Sequence, residues 1–251
     1  MRILLTNDDG IHAPGMAVLE AIARTLSDDV WVCAPAEEQS GAGHSLTLHH
    51  PVRLREHGRQ RYSVTGTPTD AVNLALRKLF ADRPPDLVLS GVNAGENLGD
   101  DVTYSGTISA AMEAALAGFP AIALSQAYRD GGHGFSAAEG WAARVLAPLT
   151  EVAMARRTLV NVNFPALPAG EVKGVRVVRQ GFHDYARGSL VEGRDPRGRP
   201  YFWFGLEDME HTLDHGTDLE AVADGYIAVT PLQVDLTNHA ALGQLAERFG
   251  A

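Results

Sequence analysis

Five short apolar runs, at residues 3–5, 30–34, 86–90, 121–125 and 159–162, punctuate the first two thirds of the chain, and the first three pass straight into polar or glycine-rich loops. Runs this short and this continuous mark strands buried on both faces. Helix-forming stretches alternate with them. That alternation calls for a parallel sheet covered by helices on both sides, a Rossmann-like, three-layer, doubly wound α/β fold. In such sheets ligands bind beyond the carboxyl ends of the strands, so the loops after the runs are where chemistry is expected.

The helical stretches carry their own signals. Pro14 suits the first turn of a helix that places Met16, Leu19, Ile22, Ala23 and Leu26 on one face. Thr67 and Pro68 are a cap and a first position for a helix through residue 79. Residues 104–117 begin with small and hydroxyl residues, continue rich in alanine, and stop at Gly118 and Pro120. A further helix is expected over 136–155, broken or kinked near Pro148. Residues 45–65 contain two alternating stretches around His57 and Gly58, the pattern of a hairpin or β-extension.

Past about residue 165 the character changes. Residues 172–178 and 201–204 read as strands separated by an exposed loop or long hairpin at 188–200, whose Arg187, Arg194, Arg197 and Arg199 fit a solvated tip better than a binding arm. A short helix at 217–223, a strand at 226–230 and a terminal helix at 238–249 follow. The organisation expected is one domain over 1–251: a core to about 165, a β-hairpin and oligomerisation extension over about 170–230, and a C-terminal helix. That last helix has few sequence neighbours to pack on, which suits exchange with another subunit.

Composition removes several classes of function. A formal charge of −10 opposes binding of a nucleic-acid polymer. No run approaches the ~18 apolar residues of a membrane span, and the strand-like start is not a secretion signal, so a cytoplasmic protein is expected. The single cysteine, Cys33, sits in an apolar strand pattern and reads as core. Neither a GxGxxG turn after the first strand nor a GxxxxGK[ST] loop occurs.

The chemistry gathers at the strand ends. Asp8 and Asp9 follow the first run, and adjacent carboxylates repel unless a cation or a shared proton intervenes. One as a helix cap and one solvated is the plainer alternative. The second strand end adds Ser40 and the third adds Asn93 and Asn97, so the assembled donors are all oxygens, a set for a hard divalent cation such as Mg²⁺ or Mn²⁺. Residues 104–107 bring hydroxyls and free backbone N–H groups to a helix N-terminus, a setting suited to phosphate. His44, His49, His50, His183, His211 and His215 fall in loops and receive no role. His239 follows Asp235 by four residues, where one side chain is able to orient the other.

The ordered segments MRILLTNDDG, APAEEQSGAGHSLT, TGTPTDAV, DLVLSGVNAGENLGDDVTYSGTISAAMEAAL and TPLQVDLT resemble the SurE survival-protein family of nucleotidases across nearly the whole chain. The resemblance implies a metal-dependent 5′-nucleotidase, a phosphatase of nucleoside 5′- and 3′-monophosphates with some action on short polyphosphate. It also implies a projecting β-hairpin and a C-terminal arm exchanged within a homodimer or homotetramer. By position it assigns one divalent cation to Asp8, Asp9, Ser40 and Asn93, with Asp8 and Asp9 catalytic, and phosphate to Asn97, Ser105, Gly106 and Thr107. Asp235 and His239 match a pair near the active site, while 181–216 matches weakly. Two rivals stand beside this. A phosphatase of the haloacid-dehalogenase kind spaces its acids as D-x-D, unlike the adjacent pair here, and a non-catalytic nucleotide sensor would bind without releasing phosphate.

Overall fold

A computed structural model describes residues 1–128, 134–182, 189–205 and 215–250. Its central sheet has nine strands. The first six to be laid down are β1 (Arg2–Thr6), β2 (Asp29–Pro35), β3 (Leu54–Gly58), β4 (Arg61–Val64), β5 (Leu87–Ala94) and β6 (Ala121–Gln126). They are followed by β7 (Thr158–Phe164), β8 (Val175–Val177) and, after a separate antiparallel ribbon of β9 (Ser189–Arg194) and β10 (Pro200–Gly205), by β11 (Ile227–Gln233). The order across the sheet is β3-β4-β2-β1-β5-β6-β7-β11-β8. Helices α1 (Pro14–Arg24), α2 (Pro68–Leu74), α3 (Gly106–Leu116), α4 (Ser136–Glu151), α5 (Asp218–Ala223) and α6 (His239–Phe249) complete the chain.

The apolar runs make two cores because successive residues of a strand point to opposite faces. Ile3 and Leu5 join Met16, Leu19 and Ile22 of α1 and Val145 and Leu146 of α4 on one face. Leu4 and Val88 join Ala71 and Val72 of α2 and Ile108, Ala111 and Ala114 of α3 on the other. The fold is therefore three-layered, as read from the sequence. From β1 the chain winds outward to β2 and β4, then crosses back to β5 on the other side of β1, so the winding reverses between β1 and β5. Their following helices, α1 and α3, cover opposite faces, and a crevice opens between them.

The hairpin expected around His57 and Gly58 forms as β3 and β4 and adds to the main sheet edge beside β2. Several other local expectations change. The helix capped by Thr67 ends at Leu74 and continues as a π-helical turn, Ala75–Leu79; the Thr67 hydroxyl and Asp70 complete a reciprocal cap. Pro148 lies inside α4 without breaking it. β5 runs on past Ser90 to Ala94, through Gly91, whose Cβ would collide with the Leu124 carbonyl of the neighbouring strand. The segment after 165 does not stay apart: β11 pairs antiparallel with β7, and β8 lies parallel beside β11. Part of 188–200 is strand β9, and Arg194 donates to the Gly198 carbonyl while Asp195 accepts from the Arg197 and Arg199 N–H groups, closing a turn. Arg187, His183 and His211 lie outside the described residues. Among the described residues, no helix is long and apolar enough to cross a membrane.

Candidate active site

The turn after β1 is held from within. The Asn7 side chain donates to the Gly10 carbonyl at 2.8 Å, and Gly10 takes φ +99°, a left-handed conformation that glycine adopts without strain. The next loop is tied to it, since the Gln39 N–H donates to the Asp8 carbonyl at 2.8 Å. Asp8 and Asp9 then face an open cleft of ≈ 710 Å³ whose lining includes Glu38, Ser40, Asn93, Asn97, Asp101 and Ser105. Asp8, Asp9, Ser40 and Asn93, the oxygen donors expected from three strand ends, thus share one cleft at the reversal point of the sheet.

Asp8 is 5% exposed and lies against the first turn of α3. The Thr107 hydroxyl donates to its Oδ1 and the Thr107 backbone N–H also reaches the carboxylate. Burial holds the Asp8 carboxyl above the usual carboxylate range, the Thr107 donors act against that rise, and the charge of Glu38 adds to it. A Cβ placed on Gly106 would lie 2.6 Å from Asp8 Cβ and 2.8 Å from Oδ2, so only glycine lets the helix start this close. The anion at this helix N-terminus is therefore Asp8 itself. Thr107 holds that carboxylate and Gly106 lies against it, while the lining of the cleft includes Asn97 and Ser105 of the four residues expected to meet phosphate. The Ser105 Oγ caps α3 by accepting from the Ile108 N–H at 3.1 Å, a bond that leaves the hydroxyl proton to be donated.

Asn93 donates its amide N–H to the Gly95 carbonyl at 2.9 Å, which leaves Oδ1 outside that bond. Ser40 is exposed and donates to Glu38 Oε1 at 2.9 Å. Among the described residues, no three His, Cys, Asp or Glu side chains gather as a metal group. The set here is instead two carboxylates, a hydroxyl and an amide carbonyl, and that mixture of oxygens fits a hard divalent cation.

Behind the cleft lies a support that strand reading alone did not reveal. Asn163 Oδ1 accepts the Asn97 N–H at 2.8 Å, the amides of Asn161 and Asn163 donate to the Asn97 carbonyl, and Asn97 Nδ2 donates to Ser125 Oγ at 2.7 Å. Two positions on, Asp218 Oδ2 accepts the Gly99 N–H at 3.0 Å, and Gln180 donates to the Gly99 carbonyl at 2.8 Å. Asp218 is fully buried, and its other oxygen accepts the N–H groups of Gly181 and Leu219. The sequence signal was present in the first case: amides at alternate positions of an otherwise apolar run. Asp218 had no such signal, because it reads as an ordinary first-turn acid of α5.

Asp235 and His239 do form a pair, at 3.3 Å, but both are exposed and neither lines the cleft. Topology explains why. β11 runs antiparallel to β7 with Gln233 opposite Thr158, so the chain leaves β11 at the amino end of β7, whereas the cleft lies beyond the carboxyl ends. Within one chain this pair sits at the wrong end of the sheet. Of the loop histidines, His44 contacts Glu113 at 3.1 Å and His215 contacts Glu220 at 2.7 Å, both outside the cleft.

Residues 3–187 match the family model described as Survival protein SurE. A relative in Erythrobacter litoralis, named 5′-nucleotidase SurE, is 68% identical over 99% of this chain and 100% of its own length. One of the same name in Rhizorhabdus wittichii is 60% identical, covering 96% of this chain and 97% of its own. The crystal structure of a SurE protein from Aquifex aeolicus superposes with a TM-score of 0.87 at 38% identity, over 99% of this chain and all of that one.

Proposed function

The chain belongs to the Survival protein SurE family, and on that premise we propose that it is a divalent-metal-dependent phosphatase that hydrolyses nucleoside 5′-monophosphates to nucleoside and phosphate. The observation that carries this reading is Asp8, a buried carboxylate braced by Thr107 and set beside Asp9, Ser40 and Asn93 in one cleft. Those four residues would hold the cation, most suitably Mg²⁺ or Mn²⁺. When bound, it supplies Lewis-acid polarisation of the phosphoryl group and neutralises charge there.

The chain's own groups divide the remaining work. Asp8 is an anchor, because its carboxylate is already held by two donors of Thr107. Asp9, the more exposed of the two, takes the proton from the attacking water as the P–O bond to the nucleoside breaks, and the departing oxygen takes up a proton to leave as the nucleoside hydroxyl. Ser105 donates its hydroxyl to an equatorial phosphoryl oxygen, and Asn97, locked by Asn161, Asn163 and Ser125, borders the same space. A nucleoside monophosphate made chiral at phosphorus with oxygen isotopes and sulfur tests the attack: inversion means direct water attack, whereas retention would mean two displacements through an aspartyl phosphate.

The proposal extends to 3′-monophosphates and short polyphosphate as further substrates, to a cytoplasmic setting, and to a homodimer or homotetramer. The exposed Leu242, Leu245 and Phe249 of α6 and Tyr201, Phe202 and Trp203 of β10 support self-association. Phosphate release from a panel of nucleoside monophosphates, with and without EDTA, decides the central reading. No metal-dependent release from any of them would leave the nucleotide sensor as the surviving alternative.

A further inference from the structure

The cleft is larger than a phosphate and a cation require, and what lines its remainder is distinctive. Beyond the carboxylates Asp8, Asp9, Glu38 and Asp101, its lining includes Tyr104, Tyr128 and Phe135 and, among the described residues, no lysine or arginine. An anionic substrate thus meets the negative charge of these four carboxylates except where a cation sits. A neutral part of the ligand then has binding strength to supply. Two of the aromatic residues are exposed enough to receive it. Tyr104 is 62% exposed and Tyr128 45% exposed, against the general rule that large aromatic side chains bury most of their surface. Phe135, by contrast, is buried and belongs to the core.

Both tyrosines are fixed relative to the reacting end. Tyr104 immediately precedes Ser105, the cap of α3, and its carbonyl accepts the Gly43 N–H at 3.2 Å, joining it to the loop that carries Ser40. Tyr128 packs across Gly95: a Cβ on that glycine would stand 3.4 Å from the Tyr128 ring and 3.7 Å from Asn93 Nδ2. Tyr104 is therefore the chain neighbour of a phosphate-side donor, and the Tyr128 ring stands beside the glycine next to a cation-side donor.

We propose that Tyr104 and Tyr128 form the nucleobase subsite of this cleft, taking the base by stacking on ring faces and discriminating by the area of the π-system. This rests on the phosphatase reading above and adds to it the part of the substrate that confers affinity. Aromatic faces accept every base, so the subsite ranks purine above pyrimidine nucleotides and both above a sugar phosphate that has no base.

The test is the preference ratio, kcat/KM for AMP divided by kcat/KM for ribose 5-phosphate, in the full-length protein with Mn²⁺. Tyr128→Ala and Tyr104→Ala should each lower that ratio about 5- to 30-fold, through KM more than kcat, while Tyr128→Phe and Tyr104→Phe should hold it within about twofold. The AMP-to-CMP ratio should fall with it, by less. Alanine variants that slow both substrates in proportion would overturn the subsite, because the rings would then be cleft wall only. A loss of the ratio in the phenylalanine variants would overturn stacking in favour of the hydroxyls. Isothermal titration of AMP and ribose 5-phosphate with Mn²⁺ present separates this from the phosphatase reading. A wild type that releases no phosphate yet binds AMP more tightly, in an alanine-sensitive manner, refutes the reaction and keeps the subsite. Equal affinity for the two ligands refutes the subsite.

Discussion

Gly106→Ala sets two physical effects against each other, and the structure decides the sign. In a helix, alanine in place of glycine ordinarily stabilises by up to ~1 kcal/mol. Here the new Cβ would lie 2.6 Å from Asp8 Cβ and 2.8 Å from Oδ2, against ~3.5–4.0 Å for unstrained carbon contacts. About 1 Å must be found by moving Asp8 or the first turn of α3. The Asp8 side has little freedom, since Thr107 grips the carboxylate and Gln39 holds its carbonyl. Overpacking of this kind costs ~1–3 kcal/mol, which at ~2–4 °C per kcal/mol lowers Tm by several degrees. A displacement of about 1 Å in a catalytic group costs ~10²-fold in rate, so activity should fall much further than stability. Thermal melts, Mn²⁺ titration and phosphate release from AMP read the three quantities. A variant with raised Tm and unchanged metal affinity and turnover would refute the claim that Asp8 and the start of α3 are fitted to one another.

Other perturbations follow from the same contacts. Thr107→Val removes the hydroxyl given to a buried carboxylate, a loss of ~1–3 kcal/mol that calorimetry should detect together with weaker Mn²⁺ binding. Asp218→Ala strips the acceptor from the N–H groups of Gly99, Gly181 and Leu219; Tm should drop, and limited proteolysis should show cleavage near residue 99. The Cys33 thiol is pushed up to about 12 by burial, so iodoacetamide at pH 8 should leave it unmodified in the folded protein and alkylate it in urea. Asp29 is held below the usual carboxylate range, first by its bond from the Arg2 guanidinium. Its contribution is therefore present above the unfolded value near ~3.9 and disappears as pH falls through the lower folded value. The Tm difference between wild type and Asp29→Asn should close below about pH 4.

The centre of the fold was legible because parallel strands buried on both faces leave continuous apolar runs, and β1, β2, β6 and β7 each contain the run read for them. The edges were not. β8 and β11 are parallel neighbours separated in sequence by the β9–β10 ribbon and the short α5, and β11 enters antiparallel to β7, so nothing local says that it closes on β7. β5 was read short because Gly91 and Asn93 resemble a loop, although Gly91 is what lets β6 approach. The site divides along the same line. Asp8, Asp9, Ser40 and Asn93 were visible as oxygens at strand ends, since position along a strand determines which end they reach. What each donor is bonded to was invisible: that Thr107 serves Asp8, and that Asn161 and Asn163 secure Asn97, depends on tertiary register.

The clamps around the cleft also say when it forms. Asp8 meets Thr107 across 99 residues of sequence, Asn97 meets Asn161 and Asn163 across 64 and 66, and Gly99 meets Asp218 across 119. Contacts of such separation require large loops to close and belong to the late part of a folding reaction. A ligand that needs the finished cleft has little to hold in the transition state, so it leaves the rate of folding almost untouched and slows the escape from the native state. In refolding experiments a divalent cation should therefore act as a brake on unwinding and not as a nucleus.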